Sequence, residues 1–216
     1  MKRNPSANDP SQKRKIPFNL KLIPVGSGNP GILEMINIIM TREHPRGDYS
    51  GMNIFGEHVS TLLVDETAVK LMIKSVSCGN DFDRTRVLDY PNTDIFLLCF
   101  SVTDQNAFRE IESKWIREVQ HYCPDATLVL VGTNTHFRDN PSVNNQMFKA
   151  NSFVSNQQAL QYAQSKGMLY LECSFSADNP NYSAVSHMLK EAILEYKNGP
   201  TITPKPPSIS SSCAIM

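Results

Sequence analysis

The first chemical signal is an eight-residue turn after a strand-like run, Gly26-Ser27-Gly28-Asn29-Pro30-Gly31-Ile32-Leu33. A turn of this kind, between a strand and a helix, cradles phosphate when it follows G-x-x-x-x-G-K-[ST]. Its glycines let backbone N–H groups face the phosphates, its lysine neutralises their charge and its hydroxyl holds Mg²⁺. Gly26 and Gly31 stand at the required spacing, but Ile32 takes the lysine's place and Leu33 the hydroxyl's. Taken alone, the segment fits a ligand-free glycine turn better than a phosphate site. The second signal is terminal: Cys213-Ala214-Ile215-Met216 fits C-a-a-X with Met as X, the pattern for farnesylation of Cys213. The remaining candidates are scattered. His44, His58, His121, His136 and His187 have no second ligand at metal-binding spacing, so surface or loop histidines and no metal site are expected. Cys78, Cys99, Cys123, Cys173 and Cys213 contain no C-x-x-C pair, which argues against a disulfide framework and for a reducing compartment. Cys78 has no adjacent base to activate it and is expected to be an ordinary thiol.

These residues need a scaffold. The chain has 216 residues, 40% hydrophobic and 19% charged, with mean hydropathy −0.32, which suits one soluble domain with tails. Lysine plus arginine equals aspartate plus glutamate at 21 each, so binding of nucleic acid through bulk charge is not expected. No apolar run is long enough to span a bilayer, and no apolar stretch follows the basic N-terminus, so neither a transmembrane helix nor a signal peptide is expected. Residues 1–15 are polar and basic. Their composition fits a disordered arm, with contact to anionic lipid as the alternative. Residues 198–216 are rich in proline and serine and cannot build a core. The folded domain is therefore expected over residues 16–197.

Within it, strand-like and helix-like pieces alternate. Asn19–Val25 predicts a strand, followed by a helix near Gly31–Met40. Ile54–Val64 and Val69–Val76 flank the turn Asp65-Glu66-Thr67, as in a hairpin. Ile95–Phe100 and Leu128–Val131 are continuous apolar runs of the kind found in parallel strands buried on both faces. Phe108, Ile111, Trp115 and Val119 recur at helical spacing, with Thr103 or Asp104 available as cap. Ser155 is placed to cap a helix ending at Gly167. Met168–Cys173 predicts another strand, and Val185, Met188, Leu189, Ala192, Ile193 and Tyr196 stripe a last helix. The alternation predicts an α/β fold with a mostly parallel sheet, whose ligands bind at the C-terminal ends of the strands. Pro24 is irregular in a strand expected at the centre.

Several separate segments share an order and spacing with one known family. They are the glycine turn, Tyr90-Pro91-Asn92-Thr93-Asp94 running into Ile95–Ser101, Lys114-Trp115, Glu118-Val119, Cys123-Pro124 and Val131-Gly132-Thr133. Arg138-Asp139 then opens a polar insert, and Tyr170-Leu171-Glu172-Cys173-Ser174 and the terminal Cys213 box follow. From about Leu20 to Met216 the chain resembles the Rho family of small GTPases, within the Ras-like superfamily. The resemblance implies a Ras-like P-loop fold with a six-stranded, mostly parallel sheet, helices on both faces and a Rho-type insert. It also implies GTP or GDP with Mg²⁺ as cofactors, effector or scaffold proteins as partners, and residence at the cytoplasmic face of membranes through a farnesyl group on Cys213. The pathways it implies are those of the actin cytoskeleton, polarity and vesicle traffic.

Against that pattern the functional positions depart together. Ile32 and Leu33 lack the charge and the hydroxyl, and Pro30 removes an N–H from the cradle. Asn53 falls where the first switch carries its metal-binding threonine, two residues before Phe55. His44 falls near the aromatic that covers the guanine ring. In the D-x-x-G segment the aspartate becomes Ser75 and the glycine Cys78, while Gly79 replaces the water-orienting glutamine. The base-reading T-K-x-D becomes Thr133-Asn134-Thr135-His136, and the last loop keeps Ser174 but carries Phe175 in place of a small alanine. Two readings follow. One is a pseudo-GTPase that keeps the fold, a partner surface and a lipid anchor. The other is an atypical switch that holds nucleotide weakly, without Mg²⁺, through backbone groups of Gly26–Gly31 and the Thr133 and Ser174 loops.

Overall fold

The computed structural model describes residues 19–28, 30–41, 56–139, 153–174 and 182–199. Six strands form one sheet: β1 (Asn19–Val25), β2 (Glu57–Val64), β3 (Thr67–Lys74), β4 (Ile95–Ser101), β5 (Thr127–Thr133) and β6 (Leu169–Glu172). Their order is β2-β3-β1-β4-β5-β6, and every pairing is parallel except β2 with β3. This is the expected mostly parallel sheet with one antiparallel edge.

β4 shows why the apolar runs become inner strands. All seven of its residues are buried. Ile95, Leu97 and Cys99 enter one core, while Phe96, Leu98 and Phe100 enter the other. The first core lies under α1 (Ile32–Thr41) and the C-terminal helix Tyr182–Asn198, whose Val185, Met188, Leu189, Ala192 and Ile193 are buried. The second lies under α3 (Gln105–Glu110), the π turn Ile111–Ile116, α4 (Arg117–Tyr122) and the helix Asn156–Ser165. The remaining helical pieces are α2 (Asp83–Arg86), between two short 3₁₀ turns, and α5 (Thr135–Asp139). The helices over Asn156–Ser165 and Tyr182–Asn198 are α6 and α7.

Local chemistry sets the boundaries. The Asp104 carboxylate accepts from the N–H groups of Asn106 and Ala107, so Asp104 and not Thr103 caps α3. Ser155 caps α6 through Gln158 N–H. The hairpin turns on Asp65 and Glu66, both at positive φ (44° and 62°), the left-handed pair whose twist matches that of two paired strands. β2 begins at Glu57 and β3 ends at Lys74, so Val76 lies past the strand; Ile54 lies outside the described residues. Pro24 is buried in β1 and aligns with Leu97 of β4. On the other side, the β1–β3 ladder stops at Leu22, short of the residue that has no N–H to give.

Helical spacing correctly buried Phe108, Ile111, Trp115 and Val119. It did not reveal the π turn, which widens one turn of an otherwise continuous helix and carries Lys114 and Trp115. Among the described residues no helix is long and apolar enough to cross a membrane.

Candidate functional site

The glycine turn leaves the C-terminal end of β1 and enters α1. Gly26 is required by close approach: a Cβ there would lie 2.0 Å from the Cys99 carbonyl oxygen. Gly28 and Gly31 have φ of 72° and 70°, a left-handed backbone that side chains resist. Gly26, Gly28 and Gly31 thus stand where the backbone calls for glycine, while the side chains that follow carry no phosphate chemistry. Ile32 is only 9% exposed and packs in the core beneath α1; Leu33 is half-buried and Pro30 buried.

Around this turn stand carboxylates. The Ser27 hydroxyl donates to Glu110 of α3 and accepts from Trp115 Nε1–H at 2.8 Å. A Cβ on Gly28 would lie 3.2 Å from Asp104 Oδ2. Glu34 sits in the first turn of α1, and its Oε2 is buried without a hydrogen-bond partner among the described residues. A helix N-terminus attracts anions through its free N–H groups and dipole. Here the chain supplies its own anion to that turn, and two more flank the loop leading into it.

The segment after β3 approaches from the other side. Ser75 is buried, and its N–H donates to Gly56 O at 3.0 Å. The Cys78 thiol donates to Val76 O at 3.7 Å. Burial pushes the Cys78 thiol up against the opposing pull of the Gly26 backbone and of Arg86 and Lys114, which favours the thiol over the thiolate. Burial likewise pushes Cys173 up to about 11. Gly79 carries no side chain to orient water; its carbonyl accepts from Arg86 Nη1 at 3.2 Å. Arg86 is wholly buried and binds both oxygens of Glu118, while Tyr90 OH donates to Glu118 Oε1 at 2.6 Å. Burial alone would lower the Arg86 pKa, but the carboxylates of Glu118 and Asp83 raise it above the ordinary value.

A third cluster forms at the ends of β5 and β6. Thr133 donates its hydroxyl to Phe100 O at 3.1 Å. Asn134, at φ 60°, donates from Nδ2 to Ser101 Oγ at 3.2 Å. His136 Nδ1 and Ser174 Oγ are 2.6 Å apart, and the His136 ring lies against Phe137. His136 is thus a fixed corner of the site and not a loose loop histidine. A carboxylate at this corner offers two acceptor oxygens to the adjacent N–H groups of a purine edge, whereas an imidazole offers at most one. Beneath it Arg138 forks onto Glu172, with both contacts at 2.8 Å, and Tyr170 OH donates to the same carboxylate. Burial would push the Glu172 carboxyl up; the Arg138 and Tyr170 hydrogen bonds more than reverse this and hold it below the usual range.

The structure thus gathers Gly26, Ser27, Gly28, Pro30, Gly31, Ile32, Leu33, Ser75, Cys78 and Gly79 at the ends of β1 and β3. It gathers Thr133, Asn134, His136 and Ser174 at the ends of β5 and β6. Asn29, His44, Asn53, Phe55, Phe175 and Cys213 lie outside the described residues, as do residues 140–152 of the expected insert. Sequence reasoning missed Asp104, Glu110 and Glu34 as neighbours of the turn. It placed Trp115 in the buried stripe of its helix without a polar role, and matched Glu118 to a pattern without giving it one. Among the described residues no cluster of three or more His, Cys, Asp or Glu side chains is poised to hold a metal. A nucleotide with Mg²⁺ would meet no charge-neutralising side chain at Ile32, no metal-side acid at Ser75 and three carboxylates beside the loop, so these residues do not fit the phosphate–metal end of such a ligand. In a comparison with protein families, the model of the Ras family matches residues 21–195.

Proposed function

The chain belongs to the Ras family, and from that premise we propose that it works as a Rho-type pseudo-GTPase, a partner-binding module whose state is not set by nucleotide. Membership makes it a small-GTPase-like signalling protein. The observation that carries the finer reading is Ile32, buried in the core at the position from which a lysine would reach the β- and γ-phosphates. Each lost hydrogen bond to a charged group removes roughly 1.5–3 kcal/mol. Two such losses weaken binding by roughly two to four orders of magnitude. The carboxylates of Glu110, Asp104 and Glu34 add repulsion toward any phosphate entering the turn.

A module of this kind needs a surface. Phe82 and Leu88 are exposed, the latter at 75%, on the segment that follows β3. Beside them a groove of about 230 Å³ is lined by residues including Lys74, Val76, Phe82 and Thr85. On this reading the partner is an effector or scaffold protein of cytoskeletal, polarity or vesicle pathways, and nucleic acid is not a partner.

The test is direct. Purified protein is denatured and its supernatant resolved by ion exchange. The expected result is far less than one equivalent of guanine nucleotide and no Mg²⁺-dependent hydrolysis. Near one equivalent overturns the reading in favour of the atypical switch. That alternative draws on one observation, the retained glycine geometry at Gly26, Gly28 and Gly31.

Lipid anchoring at Cys213 completes the proposal. One farnesyl chain gives only marginal, reversible membrane binding, and a second signal is needed for stable residence. Between Gly199 and Ser212 only Lys205 is basic, so the second signal falls to Lys2, Arg3, Lys13, Arg14 and Lys15. Cys213→Ser should therefore be wholly cytosolic on fractionation. Neutralising the five basic residues should shift the protein toward cytosol while leaving the lipid in place. An unchanged membrane fraction in Cys213→Ser removes the lipid from the account.

A further inference from the structure

We infer that the glycine turn and the segment of residues 79–90 are held together by a side-chain latch through Trp115, which fixes the conformation of that segment without nucleotide. The inference rests on the pseudo-GTPase reading and deepens it, by saying what sets the segment's state in a nucleotide's place.

The latch can be followed atom by atom. Ser27 uses its hydroxyl twice, donating to Glu110 and accepting from Trp115 Nε1–H. Trp115 is the chain's single tryptophan and is completely buried. Cations cover its rings: Arg86 Cζ and Lys114 Nζ each lie 4.8 Å from a ring centroid. Such contacts strengthen when desolvated, as the one with Arg86 is. Both cations then hold the segment. Arg86 donates to Gly79 O, pairs with Asp83 at 2.5 Å and forks onto Glu118, which also takes the Tyr90 hydroxyl. Lys114 Nζ donates to Asn80 Oδ1 at 2.7 Å and to Asp83 at 3.3 Å. Gly79, Asn80, Asp83, Arg86 and Tyr90 are therefore tied to a helix that is itself tied to the glycine turn.

The π turn makes this geometry available. It inserts a residue into the helix between Glu110 and Glu118 and so re-aims the side chains it carries, Lys114 and Trp115. The relay runs through two hydrogen bonds, from the Trp115 indole N–H to the Ser27 hydroxyl and from that hydroxyl to Glu110 Oε2. Removing the middle member strands a buried indole N–H, a loss the structure cannot make good locally.

The test uses the full-length protein, hydrogen exchange of the amides of residues 79–90 and emission from Trp115. Ser27→Ala should speed exchange in that segment by about tenfold and shift the emission, with β4 and β5 as protected as in the parent. Glu110→Gln keeps an acceptor but removes its charge, and should give a smaller acceleration in the same segment. Millimolar GTP or GDP with Mg²⁺ should leave the parent's emission unmoved. A nucleotide-dependent change of emission overturns the latch, as does parental exchange over 79–90 in Ser27→Ala. If Ser27→Ala does not fold, parental exchange in Glu110→Gln overturns it instead. The two proposals fail separately. A parent that retains one equivalent of nucleotide while Ser27→Ala still frees residues 79–90 overturns the pseudo-GTPase reading and supports the latch. A nucleotide-free parent whose Ser27→Ala variant stays protected does the reverse.

Discussion

Ile32→Lys should lower the unfolding free energy by about 2–4 kcal/mol and confer no tight binding of nucleotide. In a working phosphate loop the lysine is extended and compensated by the phosphates it grips. Here the side chain at that position lies in a core with Met35, Ile36 and Ile39, and is almost shielded from water. The substitution removes apolar packing there and asks an ammonium to find solvent from a buried start. Two of the carboxylates around the turn are engaged, Glu110 with Ser27 and Asp104 as the cap of α3, which leaves Glu34 as the one with an oxygen to spare among the described residues. Adding Leu33→Thr restores the missing hydroxyl but leaves Ser75 without a metal-side acid and His136 facing the base. Denaturant midpoints at constant m-value measure the stability change, and nucleotide carried through purification measures the gain. A double variant as stable as the parent, or one retaining an equivalent of nucleotide, would show that Ile32 and Leu33 alone separate this chain from a working site.

Glu118→Ala is expected to cost about 3–5 kcal/mol, the range for removing one partner of a buried ion pair. The Arg86 side chain has no solvent exposure and that of Glu118 has 15%. Without the carboxylate, a guanidinium remains buried with half-exposed Asp83 as its one anionic partner among the described residues, and the Tyr90 hydroxyl loses its acceptor. Glu118→Gln, which keeps an acceptor for Tyr90, should cost less. Asp83→Ala, on the solvated side of the same guanidinium, should cost far less than either. Urea melts of the three variants give the comparison. Equal losses for Asp83→Ala and Glu118→Ala would mean that burial is not the source of the energy.

The fold was legible where the signal was apolar patterning. β4 and β5 announced themselves as unbroken hydrophobic runs, α7 as a stripe, and the hairpin as two alternating runs around Asp65-Glu66. Capping by Ser155 followed from side-chain chemistry at the right offset, which for α3 narrowed the cap to Thr103 or Asp104. The π turn was hidden because its residues keep the same apolar spacing as an α-helix, and the extra residue appears only in the backbone. The site was legible by position and not by content. Spacing located the glycine turn, and the family resemblance pointed to Ser75, Cys78 and His136, at the strand ends where the sheet gathers them. The carboxylates beside the turn come from α1 and α3, remote in sequence from Gly28 in all but one case. Only the sheet order, with β1 next to β4, brings Asp104 and Glu110 to it.

That same order has a consequence for synthesis. β1 leaves the ribosome before both of its neighbours: Asn19 pairs with Lys70, and Leu22 with Ile95. The β2–β3 hairpin closes through two residues and can form as soon as it emerges. The apolar strand that precedes it must wait for α1, the hairpin and then β4 to be made. Parallel pairing over such separations carries a loop-closure entropy that local pairing does not, and it slows folding. During that interval Leu22, Ile23 and Val25 are a bare, sticky segment on the nascent chain. Leu22, Ile23 and Val25 end wholly buried, yet their partners in β4 are made some seventy residues after them.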